Sequence, residues 1–94
     1  MELMEGRIVR LLKDDTLGDQ HQRFVIEKPT GGTVLVVHNI DIAPRVEGLY
    51  EGAPVLIYGE FEWNELGGIM HWTHRDPFSE HEDGWIEFKG VKYC

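Results

Sequence analysis

Eleven glycines and four prolines cut this 94-residue chain into short runs, and the runs are rich in β-branched and aromatic residues. No helical periodicity is sustained, so the spacing predicts an all-β fold. Five strands follow: residues 6–12 (GRIVRLL), 22–27 (QRFVIE), 33–38 (TVLVVH), 54–63 (PVLIYGEFEW) and 69–73 (IMHWT), with Leu3 and Met4 leading into the first. Residues 85–88 add a sixth strand or wrap the outside. The one helical candidate, residues 40–50 (IDIAPRVEGLY), is limited to about a turn by Pro44 and Gly48.

The longest run sets which side chains face inward. Its odd positions, Val55, Ile57, Gly59, Phe61 and Trp63, read as the core face, because Glu60 and Glu62 put the even face in water. Gly59 marks a bend of the kind a small closed barrel needs. Strand, strand, strand, poorly helical connector, strand, strand is the order of an OB-fold. The expected architecture is therefore a single domain, residues 1–94, built as a small five-stranded OB-like barrel. A small barrel of another topology is the alternative.

Composition narrows the function classes. Hydrophobic residues make up 41% of the chain, enough for a globular core, but no apolar run approaches the roughly 18 residues of a bilayer helix. The single cysteine, Cys94, excludes an internal disulfide framework and a multi-cysteine zinc site. An acidic start without an apolar h-region, together with one free thiol, points to the cytoplasm. The formal net charge is −8, and the second half is the more acidic: residues 48–94 carry three Lys and Arg against nine Asp and Glu. Non-specific nucleic-acid binding draws on cations that displace counterions, so this charge disfavours it and an anionic membrane surface alike. A monomer or homodimer is expected.

The histidines carry the candidate chemistry. With a hairpin loop at residues 29–32, Lys28 faces Thr33, Phe24 faces Val37 and Arg23 faces His38. That register puts His21, Arg23 and His38 on one polar face. Asn39, Asp41 and Arg45 follow directly, and His71 and Trp72 can join from the fifth strand. Such a patch suits a small anion or a peptide carboxylate, with pH-sensitive donors. A second cluster lies between residues 71 and 85. Its His74, Asp76 and His81 are residue types that ligate a divalent metal, and with His21 or His38 as base they would make a metal-dependent hydrolase or nuclease. A third reading, a nucleic-acid-binding OB module, uses Phe61, Trp63, Trp72 and Trp85 as a stacking platform, against the charge. The structural alternative is that the histidines and Trp72 hydrogen-bond loops over the barrel mouth, and that Asn39 and Asp41 cap backbone groups. There is no phosphate loop and no nucleophile elbow, and Ser79 is the only serine.

Four segments together resemble a known signature: His21-Gln22-Arg23-Phe24, the run from His38 to Arg45 (HNIDIAPR), the run from Gly59 to Asn64 (GEFEWN) and the run from His71 to Pro77 (HWTHRDP). They are similar to a small bacterial family of domains of unknown function whose members read HQRF, HNIDxAPR, GEYEWN and HWTHxDP, then a His and a GW. The likeness runs from about residue 6 to 93. Phe61 stands where that family usually has Tyr, and Arg75 where it often has His. The resemblance implies that these polar residues form one shared constellation. It implies no reaction.

Overall fold

Alternating burial along the strands closes the chain on itself. The structure, a computed structural model, describes residues 1–94. It contains no helix, and its strands are β1 (Glu2–Leu11), β2 (His21–Glu27), β3 (Thr33–Asn39), β4 (Pro54–Glu62), β5 (Ile69–His71), β6 (Trp85–Phe88) and β7 (Val91–Tyr93). Around the barrel they run β1-β2-β3-β5-β4, and β4 returns to β1. The β3–β5 pairing is parallel and all the others are antiparallel. This is the OB-like arrangement expected from the sequence, with β6 and β7 added as a two-strand extension of β4.

Two irregularities make closure possible. β1 begins at Glu2 and takes in Leu3 and Met4 as expected, because residues 2–7 pair with β4 while residues 7–11 pair with β2. The register slips between Ile8 and Arg10, leaving Val9 as a bulge that bends the strand from one partner to the other. On β4, Val55 and Ile57 point inward as expected and Phe61 packs against the core. Trp63 departs from the expected core face: it lies past the strand end and is 74% exposed. Gly59 sits where that edge of β4 exchanges β6 for β5, and a Cβ there would clash with the His71 carbonyl.

The β2–β3 register differs by one residue from the sequence expectation. The Lys28 N–H donates to the Gly32 carbonyl (2.8 Å) and the Gly31 N–H to the Lys28 carbonyl (2.9 Å), so the tip is Pro29, Thr30 and Gly31. Gly31, at φ +107°, ends the turn a residue sooner than a four-residue loop would. Gln22 therefore faces His38, Arg23 faces Val37 and Phe24 faces Val36. Since side chains alternate, this slip turns His38 from the polar face to the interior.

There His38 and Gln22 take up a task that an OB helix usually performs. The connector between β3 and β4 runs through successive turns with no helix and buries Ala43 and Val46, the latter within the core cluster. The Gln22 amide pairs with both backbone groups of Val46: its Nε2 donates to the carbonyl (3.0 Å), and its Oε1 accepts the N–H (2.9 Å). His38 Nε2 reaches the Pro44 carbonyl at 2.9 Å, two residues earlier. Without these bonds the connector would bury unpaired backbone groups. The core they cover includes Ile8, Phe24, Ile26, Val36, Ile57 and Met70.

Candidate functional site

The same pleat that sends Gln22 and His38 inward leaves His21 and Arg23 on the outer face of β2, with Val37 beside them on β3. β5 ends at His71 because Trp72 adopts φ +55°, a left-handed backbone that is strained for a bulky aromatic. Two glycines let the chain pack tightly around this turn. A Cβ on Gly84 would overlap the Trp72 carbonyl oxygen, just as one on Gly59 would clash with that of His71. The Gly84 N–H donates to the His74 carbonyl at 2.8 Å, drawing the ends of the β5–β6 loop together.

The turn delivers Trp72, His74 and His81 to the end of the β2–β3 face, and a cleft of about 290 Å³ results. His21, His71, His74 and His81 line it, so four of the five histidines, far apart in sequence, share one cavity. Asn39, Asp76 and Trp72 line it too. Asp19, Val37, Ile42, Pro77, Phe78 and Glu80 also contribute, and the sequence reading had not assigned these to a site. Trp72 lies flat on His81, with ring centroids 4.3 Å apart and an interplanar angle of 6°. The His71 ring meets Trp72 edge-on at 5.2 Å, and His74 meets His81 edge-on at 5.7 Å.

Hydrogen bonds assign roles to the ring nitrogens. His74 Nδ1 lies 2.6 Å from the Arg75 carbonyl and His81 Nδ1 lies 2.6 Å from the Glu82 carbonyl. A carbonyl only accepts, so each Nδ1 carries a proton, and in the neutral form of either ring the lone pair is at Nε2. Two further nitrogens, His21 Nδ1 and His71 Nε2, are shielded from solvent without a hydrogen-bond partner. His71 Nε2 lies 3.2 Å from Glu62 Oε1, close enough for charge attraction but not aligned for a hydrogen bond.

His38 sits beneath the cleft, fully buried, with Nδ1 2.8 Å from the Thr73 hydroxyl. The Pro44 carbonyl claims the Nε2–H, so Nδ1 accepts from Thr73. Burial pushes this imidazole below its ordinary pKa. The Pro44 bond works the other way, and the charges of His74 and His21 add to the depression. His38 is thus a neutral strut between connector and loop.

The rest of the expected anion patch is engaged elsewhere. Arg23 Nε donates to the Lys13 carbonyl at 3.0 Å. Arg45 donates to Asp14 at 2.6 Å, which holds its guanidinium above its ordinary pKa. Neither arginine lines the cleft. Asp41 accepts the Gln20 N–H, and Asn39 donates to Asp19 at 3.0 Å, so both tie the β1–β2 loop to the connector.

The expected metal trio, His74, Asp76 and His81, comes together on the cleft, but no three His, Cys, Asp or Glu side chains are arranged to hold one ion. Asp76 is occupied by backbone. Its carboxylate accepts the N–H groups of Phe78, Glu80 and His81 and so folds the loop. Burial alone would raise its pKa, but these bonds and the nearby His81 bring it below the ordinary value.

A larger groove of about 580 Å³ lies at the other end of β2, among Arg7, Glu27, Lys28, Pro54 and Lys89. It holds no histidine and no shielded polar atom lacking a partner. The smaller cleft is the chemically distinctive one.

Fold and cleft together define a small OB-like β-barrel with a histidine-lined pocket beside its β2–β3 face. By sequence the chain belongs to the family described as "Protein of unknown function (DUF3465)", whose model matches residues 3–94. No curated protein and no solved structure gives a match. No helix is long and apolar enough to cross a membrane.

Proposed function

We propose that this chain is a binding module that holds a small organic ligand, or one side chain of a peptide, in the histidine cleft. The observation that carries the reading is the convergence of His21, His71, His74 and His81 on one cavity, with two of their ring nitrogens shielded and unpartnered. Buried polar groups are ordinarily paired, so two unmatched nitrogens on residues that line a cavity single out this corner, and a cavity with several convergent polar side chains is where a ligand is expected. The strained Trp72 turn at the rim supports the same reading, since such backbone persists where surrounding structure enforces it.

The site differs from the anion patch that the sequence suggests, because both arginines are engaged elsewhere and His38 is internal. A metal-dependent hydrolase or nuclease is less well supported, since Asp76 organises the loop and no three ligands meet. A nucleic-acid module is opposed by the net charge of −8 and by a cleft without Lys or Arg.

The test is a titration of ¹⁵N-labelled protein with a panel of carboxylates, amines, polyols and short peptides. At least one class is expected to move the amides of His21, His71, Trp72, His74 and His81 together. A panel that leaves them unmoved, or shifts residues scattered over the barrel, overturns the proposal.

A further inference from the structure

The binding reading can be taken one step further, to the chemical class of the ligand. We infer that the cleft receives an alkylammonium group, seated on the lone pairs of His74 and His81 and beside the Glu80 carboxylate. This rests on the proposed binding role of the same cleft.

The inference comes from a count of donors against acceptors. No Lys or Arg lines the cavity, whereas Asp19, Asp76 and Glu80 do. His74 and His81 spend the Nδ1 proton on backbone carbonyls, so in the neutral form each has Nε2 as an acceptor. His81 Nε2 and Asp76 Oδ2 stand 4.0 Å apart, too far for a hydrogen bond, and Asp76 Oδ2 already accepts the Glu80 and His81 N–H groups, so the acceptor left open when the imidazole is neutral is His81 Nε2. Asp76 is almost wholly covered, with its side chain 4% exposed, so its negative charge is little screened by bulk water. Asn39 spends one Nδ2–H on Asp19 and accepts the Asp41 N–H at Oδ1, which leaves it a single further N–H and no positive charge to offer an anion. An anion would find acceptors here and be repelled. A group with several N–H donors and a positive charge satisfies them.

Shape and field agree. Trp72 and Phe78 stand at the cleft, partly and largely exposed respectively, and offer apolar surface to a methylene chain and a π-face to its charged end. The molecule carries −8 overall, most of it in residues 48–94, which supply the cleft loop. That field draws cations toward the site. A metal cation is the less suitable occupant. It requires donor atoms about 2.1 Å from one point, and no three side chains meet so closely. An ammonium accepts partners on a wider shell, near 2.9 Å, in a looser arrangement.

An alkylammonium has two natural sources, a free amine or a lysine side chain, and one experiment separates them. ¹⁵N NMR and calorimetric titrations at pH 7.5 would compare 1,5-diaminopentane, N-acetyl-lysine methylamide and the neutral isostere 1,5-pentanediol. The expected result is that one or both ammonium probes shift Trp72, His74 and His81 while the diol does not. Tighter binding of the diamine assigns a free amine, and equal or tighter binding of the lysine derivative assigns a peptide. Glu80→Gln, at an exposed position, is expected to weaken binding by roughly fivefold, the scale of one exposed ion pair. Equal binding of diol and diamine overturns the ammonium inference and leaves the binding module standing. So does cleft binding of sodium acetate in preference to both amines, or saturation by Zn²⁺ that broadens His74 and His81. A cleft silent to every probe in both experiments overturns the two proposals together.

Discussion

Gln22→Met tests the most specific claim about how this barrel closes. The substitution keeps the length and volume of the side chain but deletes both hydrogen bonds to Val46, which measure 3.0 and 2.9 Å. Val46 is 2% exposed, so neither its N–H nor its carbonyl can turn to water without undocking the connector. Each of the two abandoned buried groups costs about 1–3 kcal/mol, and the thioether recovers about 1 kcal/mol of the total through apolar burial, so the net loss is about 1–5 kcal/mol. A domain of this size has about 5–14 kcal/mol of stability in total, and each kcal/mol lost lowers Tm by about 4–8 °C. The expected outcome is a fall in Tm of about 4–40 °C, centred near 15–20 °C, with a single cooperative transition retained. Urea unfolding followed by the fluorescence of the three tryptophans measures it. A loss below about 0.5 kcal/mol, the scale of an ordinary surface substitution, would refute the argument that this amide pins the connector.

Two more outcomes follow from the same architecture. Gly84→Ala places a methyl group against the carbonyl oxygens of Trp72 and Tyr58, so it is expected to cost roughly 1–3 kcal/mol or more and to perturb the cleft loop first, read as faster amide exchange in residues 72–84. His38, neutral in the folded state with its pKa pushed down by burial, makes stability depend on pH. The unfolded imidazole takes up a proton near pH 6.5 and the folded one resists until lower pH, so this contribution is complete above about 6.5 and is lost as the pH falls toward the folded value. Denaturation of wild type and His38→Gln at pH 7.5 and 5.5 should show a smaller acid loss in the variant, and equal losses would sink the assignment.

Much of the fold can be read from the sequence because alternation and turn residues are local signals. The burial of Val55 and Ile57, the short connector without a helix and the strand order all follow from runs of a few residues. Register is not local in this sense. Pro29 through Gly32 is compatible with tips of three or four residues, and the choice rests on which glycine takes positive φ. One residue of error at that tip exchanged the faces of β3 and placed His38 on a surface it never reaches. The cleft was partly legible. The crowding of His71, His74 and His81 was visible, and so was a role for His21. The pairing partners of Arg23, Arg45 and Asp76 were not, because two of them are backbone groups and the third is Asp14, thirty-one residues from Arg45. Gly84 was the unused clue: a glycine beside a Trp-rich turn often marks a close backbone approach.

The central claim is a division of labour among imidazoles, with His38 spent inside the fold and His74 and His81, on the cleft, bonded to backbone through Nδ1 so that Nε2 is the nitrogen left over. Long-range ¹H–¹⁵N correlation of the histidine rings at pH 7.5 reads this division directly. The account predicts an Nε2–H tautomer for His38 and Nδ1–H tautomers for His74 and His81. An Nδ1–H tautomer at His38, or Nε2–H at both His74 and His81, would contradict it.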